Sequence, residues 1–297
     1  MKILFVHQYF PGQFKRIALH YVEAGHDVVA LHRGLADGRS SPPIDGVRRM
    51  EYGTEVVADR PKDHILHNHE TFIREAASAC FQAIELRDGG WFPDLVYDHS
   101  GWGTGAFLQD VFPAAKYVKY CEWFFDNGPD SIGFLGPEPA FEGRFINSLM
   151  NLPVLADLAR ADLMIAPTQW QRSKFPSALQ ASIEIAPDGI DTALFRPDAD
   201  AVFEARDGRR FTRADRVVTY VARGADPFRG FRSFIEALAV LQARDSTVEA
   251  LIVGDRSVYY GEGSGTDRHF NEVMATASID PARTHFTGPL PYDAYRR

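Results

Sequence analysis

Cysteine is nearly absent: Cys80 and Cys121 are the only two in 297 residues. Two thiols cannot build the disulfide framework of a small secreted domain, and they point to a reducing compartment. Long apolar runs are missing as well, and none approaches the ~18–20 residues that a membrane-spanning helix needs. At the amino terminus the apolar stretch Ile3-Leu4-Phe5-Val6 stops at His7, short of the ~7–15 residues of a secretory signal core. The expectation is a cytoplasmic protein. Positive charge is not in excess: 32 Lys and Arg stand against 40 Asp and Glu, a formal net charge of −8, which argues against nucleic acid as a partner. There is no Gly-x-Ser-x-Gly elbow, no Walker loop and no cysteine nucleophile with a partner. What the chain does have is 45% hydrophobic and 12% aromatic residues, too many for a disordered state. Its length suits about two domains with cores of their own.

Short β-branched apolar runs alternate with amphipathic segments from end to end. Strands are predicted at 2–6, 27–31, 94–97, 117–121, 163–167, 183–186, 217–222, 248–253 and 285–287. Between them, Phe14, Ile17, Ala18 and Tyr21 repeat with helical spacing before Gly25, and Ile73, Ala76, Ala77, Cys80 and Ile84 do so before Gly89-Gly90. Phe234, Leu238 and Leu241 form a third such stripe. Continuous apolar strands separated by helices imply an α/β protein with parallel sheets covered on both faces. Between Arg196 and Arg216 the apolar periodicity lapses and charges gather, so the predicted domains are 1–205 and 206–297. Both open with a strand, a glycine loop and a helix, which suggests two Rossmann-like, doubly wound domains facing across a cleft. The second has three predicted strands against about five or six for a doubly wound sheet, and a new helix is predicted to begin at Pro291-Tyr292-Asp293-Ala294. It is expected to be incomplete.

Three loops carry candidate chemistry. His7-Gln8-Tyr9-Phe10-Pro11-Gly12-Gln13-Phe14 follows the first strand, where glycine lets a backbone approach a ligand and a helix N-terminus offers unpaired N–H groups to a phosphate. In Val221-Ala222-Arg223-Gly224-Ala225-Asp226-Pro227-Phe228-Arg229-Gly230 two arginines flank a loop at the carboxyl end of a sheet, with planar donors suited to phosphate oxygens. The third, Pro93-Asp94-Leu95-Val96-Tyr97-Asp98-His99-Ser100-Gly101-Trp102, places an imidazole at a strand end, able to hydrogen-bond a hydroxyl.

The run from Ile3 to Phe14 resembles the amino terminus of bacterial family 4 glycosyltransferases. Pro187-Asp188-Gly189-Ile190-Asp191 with Phe195-Arg196-Pro197 resembles the family's segment before its second domain. Leu251-Ile252-Val253-Gly254-Asp255 and His285-Phe286-Thr287-Gly288 are similar to its later strand ends. The resemblance implies a GT-B fold, a nucleotide-sugar donor, metal-independent transfer without a further cofactor, and retention of anomeric configuration, in glycan or cell-envelope polysaccharide synthesis. It implies that Gly12, Gln13, Arg223, Arg229, Gly230, Gly254 and Asp255 bind the donor and that His99 serves catalysis beside the transferred sugar. Arg229 stands where the family carries Lys. The acceptor class stays open: a glycan, a lipid-linked molecule or a small molecule. The family's Glu-x7-Glu motif would follow Gly288 by several tens of residues, beyond Arg297, so the resemblance is to a truncated member; a non-catalytic remnant that binds a ligand or partner is the alternative.

Other readings compete. Gly101-Trp102-Gly103-Thr104-Gly105-Ala106 fits a dinucleotide fingerprint, with Glu122 ending the next strand where an acidic ribose ligand would stand, as in an NAD(P)-dependent oxidoreductase. Asp63-His64-Ile65-Leu66-His67-Asn68-His69-Glu70 has metal-ligand spacing but no second cluster, so a histidine-rich helix start is expected. Arg206, Arg209, Arg210, Arg213 and Arg216 against Asp207 and Asp215 give a local charge of +3. That patch is expected to be a solvated linker, with peripheral contact at the inner membrane face as the option.

Overall fold

The computed structural model describes residues 1–34, 43–53, 57, 59–62, 64–128, 141–259, 264–291 and 294. They form two compact units, Met1–Gly189 and Ile190–Arg297. The first carries, in chain order, β1 (Lys2–Val6), α1 (Lys15–Glu23), β2 (Asp27–Arg33), β3 (Val47–Tyr52), α2 (His67–Asp88), β4 (Leu95–His99), α3 (Leu108–Val111), β5 (Lys116–Tyr120), α4 (Phe141–Leu158), β6 (Leu163–Ala166), α5 (Gln169–Lys174), α6 (Ser177–Gln180) and β7 (Ile183–Ile185). Its strands make one seven-stranded sheet, ordered β3-β2-β1-β4-β5-β6-β7, with every pairing parallel.

Both faces are covered, as the unbroken apolar strands require. Leu4 and Val6 join Ala79, Ala83 and Leu86 of α2 in one core layer. Ile3 and Phe5 point to the other, with Phe14 and Ala18 from the α1 side. The glycine stops act through backbone geometry. Gly25 and Gly90 hold φ of 77° and 78°. Each closes its helix with paired N–H bonds to the last turn, Gly25 to Val22 and His26 to Tyr21, Gly90 to Arg87 and Trp91 to Leu86, the Schellman arrangement.

The strand the sequence pattern misses in this unit is β3. It reads Val47-Arg48-Arg49-Met50-Glu51-Tyr52 and lies at the sheet edge, where charged side chains are tolerated and discourage further pairing.

The second unit contains a hairpin, β8 (Phe203–Glu204) with β9 (Arg210–Phe211), then β10 (Arg216–Val221), α7 (Phe231–Arg244), β11 (Val248–Val253), α8 (Arg268–Thr276) and β12 (Thr284–Gly288). The last three strands form a parallel sheet, β10-β11-β12. Ala205 and Phe211 pack on Leu251, so the hairpin belongs to this unit. That moves the division to Gly189/Ile190, ahead of the 205/206 boundary that charge and periodicity suggest. The helix start expected at Pro291–Ala294 includes Tyr292 and Asp293, which lie outside the described residues.

A polar triad is sealed inside the first unit. The Lys119 ammonium on β5, fully buried, donates to Asp98 of β4 at 2.9 Å and to Asp157 of α4, both also fully buried. Burial disfavours the charged ammonium, but the two carboxylates outweigh it and raise its titration. Burial, followed by the Asp98 charge, drives Asp157 well above the usual carboxylate range. Replacing Lys119 with Met would leave two carboxylates with no cation. Urea unfolding should show a loss of about 3–5 kcal/mol; a loss below ~1 kcal/mol would contradict the account.

Candidate functional site

In the first unit the strand order reverses between β1 and β4, the switch point at which open parallel sheets bind ligands beyond their carboxyl ends. Four side chains meet there. His7 Nε2 lies 2.8 Å from Gln13 Oε1, Gln13 Nε2 donates to Glu122 Oε2 at 2.6 Å, and His99 Nε2 lies 2.8 Å from the same oxygen. Backbone amides fix the tautomers. Tyr9 N–H donates to His7 Nδ1 at 2.9 Å and Gly101 N–H to His99 Nδ1 at 3.2 Å, so each neutral ring carries its proton on Nε2. His7 thus donates to Gln13, and His99 to Glu122.

Burial sets the electrostatics. His7 is 3% exposed; desolvation and then neighbouring His99 hold its pKa down to about 3. Burial alone would raise the Glu122 carboxyl, but the His99 and Gln13 hydrogen bonds prevail and keep it below its ordinary range. Aromatic rings pack around the pair: Trp102 stacks on His99 at 4.5 Å between centroids, and Tyr9 meets Trp102 edge-on at 6.2 Å. Gly12 is required twice over. Its φ is 45°, and a Cβ there would lie 2.5 Å from the His7 ring.

His99 is 1% exposed, with both ring nitrogens engaged. The half-buried Gln13 amide bridges His7 and Glu122. Asp188, from the segment preceding the second unit, accepts from the Tyr120 hydroxyl at 2.5 Å. Asp191 accepts from the N–H groups of Ala193 and Leu194, both at 3.0 Å.

The second unit presents its own carboxyl edge. Arg223 and Arg229 are exposed at the two ends of the loop from β10 to α7, and Arg223 stacks over Tyr259 at 3.9 Å. Gly230, φ 71°, stands at the N-terminus of α7, where no side chain caps the helix and no atom lies within 4 Å of a would-be Cβ. Gly254 has φ 130°, and a Cβ would fall 2.0 Å from the Ala222 carbonyl oxygen. A pocket of about 210 Å³ opens here, lined among others by Arg206, Gly254, Asp255, Arg256, Phe270 and Gly288. Asp255 accepts from the Arg256 amide at 2.6 Å and the Tyr259 hydroxyl at 3.1 Å, so its carboxylate orders the loop.

The competing motifs resolve differently. After β4 the chain makes a 3₁₀ turn at Ser100–Trp102, and α3 starts only at Leu108. A Cβ on Gly103 would lie 2.6 Å from the Pro153 backbone, and one on Gly105 2.0 Å from Asp98. These glycines serve close packing against α4 and the buried triad, and the fingerprint's phosphate-binding helix is lacking. Of the histidine cluster, Asp63 lies outside the described residues. His67 and His69 bond to the carbonyls of Arg60 and Leu149, and no group of three or more candidate ligands among the described residues could hold a metal ion. In the arginine-rich segment, Arg209 pairs with Asp215 and Glu249 and Arg216 with Asp245.

The burial of His7 has a measurable sign. In the unfolded chain its imidazole titrates near 6.5, in the fold near 3, so its neutral form favours the fold above about pH 6.5 and that contribution falls as pH drops toward about 3. Between about pH 6.5 and pH 5 the loss should be ~2 kcal/mol. Urea unfolding of the wild type and of His7→Gln should show that the variant lacks this part of the slope; parallel pH dependences would refute it.

The glycosyl transferase family 4 group model matches residues 24–195, more than half of the chain. A GDP-mannose-dependent alpha-(1-6)-phosphatidylinositol monomannoside mannosyltransferase of Mycolicibacterium smegmatis is 35% identical over 96 residues, 32% of this chain and 25% of that protein. A D-inositol 3-phosphate glycosyltransferase of Segniliparus rotundus is 29% identical over 123 residues, 40% of this chain and 25% of that one. The matched segment thus spans a quarter of each curated relative. Among solved structures, Anabaena HepE in complex with UDP and glucose superposes with a TM-score of 0.57 at 15% identity, covering 98% of this chain and 70% of that one. The catalytic domain of starch synthase IV from Arabidopsis thaliana, bound to ADP and acarbose, gives 0.52 at 14%, covering 99% and 75%. These likenesses concern the fold, which is of the GT-B type with Rossmann-like α/β units. With the family model covering most of the first unit, the chain belongs to the glycosyl transferase family 4 group.

Proposed function

We propose that this protein takes part in transferring a sugar from a nucleotide-sugar donor to an acceptor hydroxyl, with retention and without a metal ion. The observation that carries the reading is the carboxyl edge of the second sheet. There a loop with two exposed arginines and an uncapped helix N-terminus adjoins, through Ala225 and Phe231, a pocket of about 210 Å³ whose lining includes neither arginine. Arg223 and Arg229 would hold the donor diphosphate, helped by the N–H groups that follow Gly230. Gly254 lets this strand end pack against the Ala222 carbonyl at the pocket wall, and Asp255 holds the adjoining loop in place. As the glycosidic bond breaks, negative charge grows on the diphosphate, and fixed cations and N–H dipoles stabilise it most in the transition state.

The first unit contributes Gly12, whose lack of a side chain lets the loop fold onto the His7 ring, and the Gln13–His99 cluster for the transferred sugar and its acceptor. The names of the two curated relatives, one for D-inositol 3-phosphate and one for phosphatidylinositol monomannoside, support an acceptor rich in hydroxyls. Among the described residues no helix is long and apolar enough to cross a membrane; a cytoplasmic setting, with peripheral membrane contact for a lipid-linked acceptor, completes the reading.

Arg223→Ala and Arg229→Ala should each weaken nucleoside-diphosphate binding at least about tenfold, the value of one charge-assisted hydrogen bond. Calorimetric titration of UDP, GDP and ADP into the full chain tests this. Unchanged affinity in both variants would remove the proposed diphosphate clamp.

A further inference from the structure

We infer that the Glu122 carboxylate is the group with which the first unit recognises a ligand hydroxyl, and that His99 and Gln13 are the residues that position it. This rests on the transferase reading and gives the ligand of the first unit its chemistry. His99, the imidazole at the strand end, is 1% exposed and has a partner at each nitrogen. Glu122 lies one layer further out, its side chain 34% exposed. Both N–H donors, from His99 and Gln13, converge on its Oε2. Among the described residues Oε1 has no protein partner and no Lys or Arg pairs with the group. An ionised carboxylate accepts hydrogen bonds and cannot donate them.

An oxygen left open in this way selects a ligand that offers a donor and repels one that offers a phosphate. The two N–H bonds also keep Glu122 ionised and weaken it as a base, which suits holding a hydroxyl better than removing its proton. The half-buried Trp102, stacked on His99, supplies an apolar ring beside the charge; the 46% exposed Tyr9 meets its edge at 6.2 Å and carries Arg33 over its own ring at 4.9 Å. A neutral polyol, such as a sugar or cyclitol, has the matching combination of C–H faces and hydroxyl edges.

Ligand-observed NMR titration of the full chain with methyl α-D-glucopyranoside, methyl α-D-mannopyranoside and myo-inositol tests the assignment, with inorganic phosphate as competitor. The wild type should respond saturably to at least one polyol, and phosphate should not displace it. Glu122→Gln should weaken that polyol at least about tenfold. If that variant fails to unfold cooperatively, Glu122→Asp, which withdraws the charge by one methylene, should weaken it in the same direction.

The positioning role has its own readout. The titratable neighbours of Glu122 are His99 at the end of β4, His7 at the end of β1 and Tyr120 on β5. Removing one donor with Gln13→Leu should move the acid limb of polyol binding to higher pH, whatever its effect on the plateau affinity near pH 8. Equal affinity in Glu122→Gln, no saturable polyol response in the wild type, displacement by phosphate, or an unmoved acid limb each overturns the assignment. Nucleotide binding measured on the same wild-type sample separates the two readings. Its absence beside a normal polyol response counts against the transferase alone, and the reverse pattern against Glu122 alone.

Discussion

A sheet buried on both faces can present polar chemistry only at the ends of its strands, and the first unit is organised by that constraint. Leu4, Phe5 and Val6 in β1 are fully buried, and a charged group among them would have to be neutralised or paired. Apart from the mutually paired Asp98 and Lys119, the polar side chains of the site therefore begin where the strands stop: His7 after β1, His99 closing β4, Glu122 after β5. The parallel arrangement brings these three ends to one edge. The site is a consequence of the sheet before it is a set of residues.

At that edge a connected set of hydrogen bonds determines what each group can do. Two backbone amides choose the tautomers of His7 and His99. The tautomers then decide the direction of donation, and Glu122 receives what they donate. The carboxylate stays ionised despite its partial burial because two N–H groups replace the lost water. The second unit solves a different problem with different means. Its exposed arginines and open helix end supply positive potential without burying a charge.

Much of this was legible in the chain. Continuous apolar runs located nine strands of the two main sheets to within a residue or two, because burial on both faces leaves no polar interruption. Glycines after helical stripes marked helix ends, since φ near 77° is costly for any other residue. What escaped had a physical reason. β3 is an edge strand with three charged residues, and the β8–β9 hairpin is two residues on each side, too short for any period to appear. The order of the first sheet could be guessed from its alternation, but the Glu122–Gln13 bond joins positions 109 apart, and no local pattern encodes such a pairing. Glu122 did stand out in the sequence, though as a ribose ligand; the residues it meets, His99 and Gln13, change its meaning.

The buried Lys119 triad also bears on how the sheet finds its alignment. When both faces of a strand are apolar, sliding it by one residue exchanges one greasy face for another, so hydrophobicity alone specifies register weakly. Lys119 breaks that degeneracy. A one-residue slip of β5 would turn its ammonium to the opposite face, away from Asp98 and Asp157, and leave the cation and its partners unpaired in the interior. Strands β4 and β5 and helix α4 must therefore arrive in a single alignment for any of them to be buried. The triad acts as a lock on register for the very strands whose ends carry His99 and Glu122.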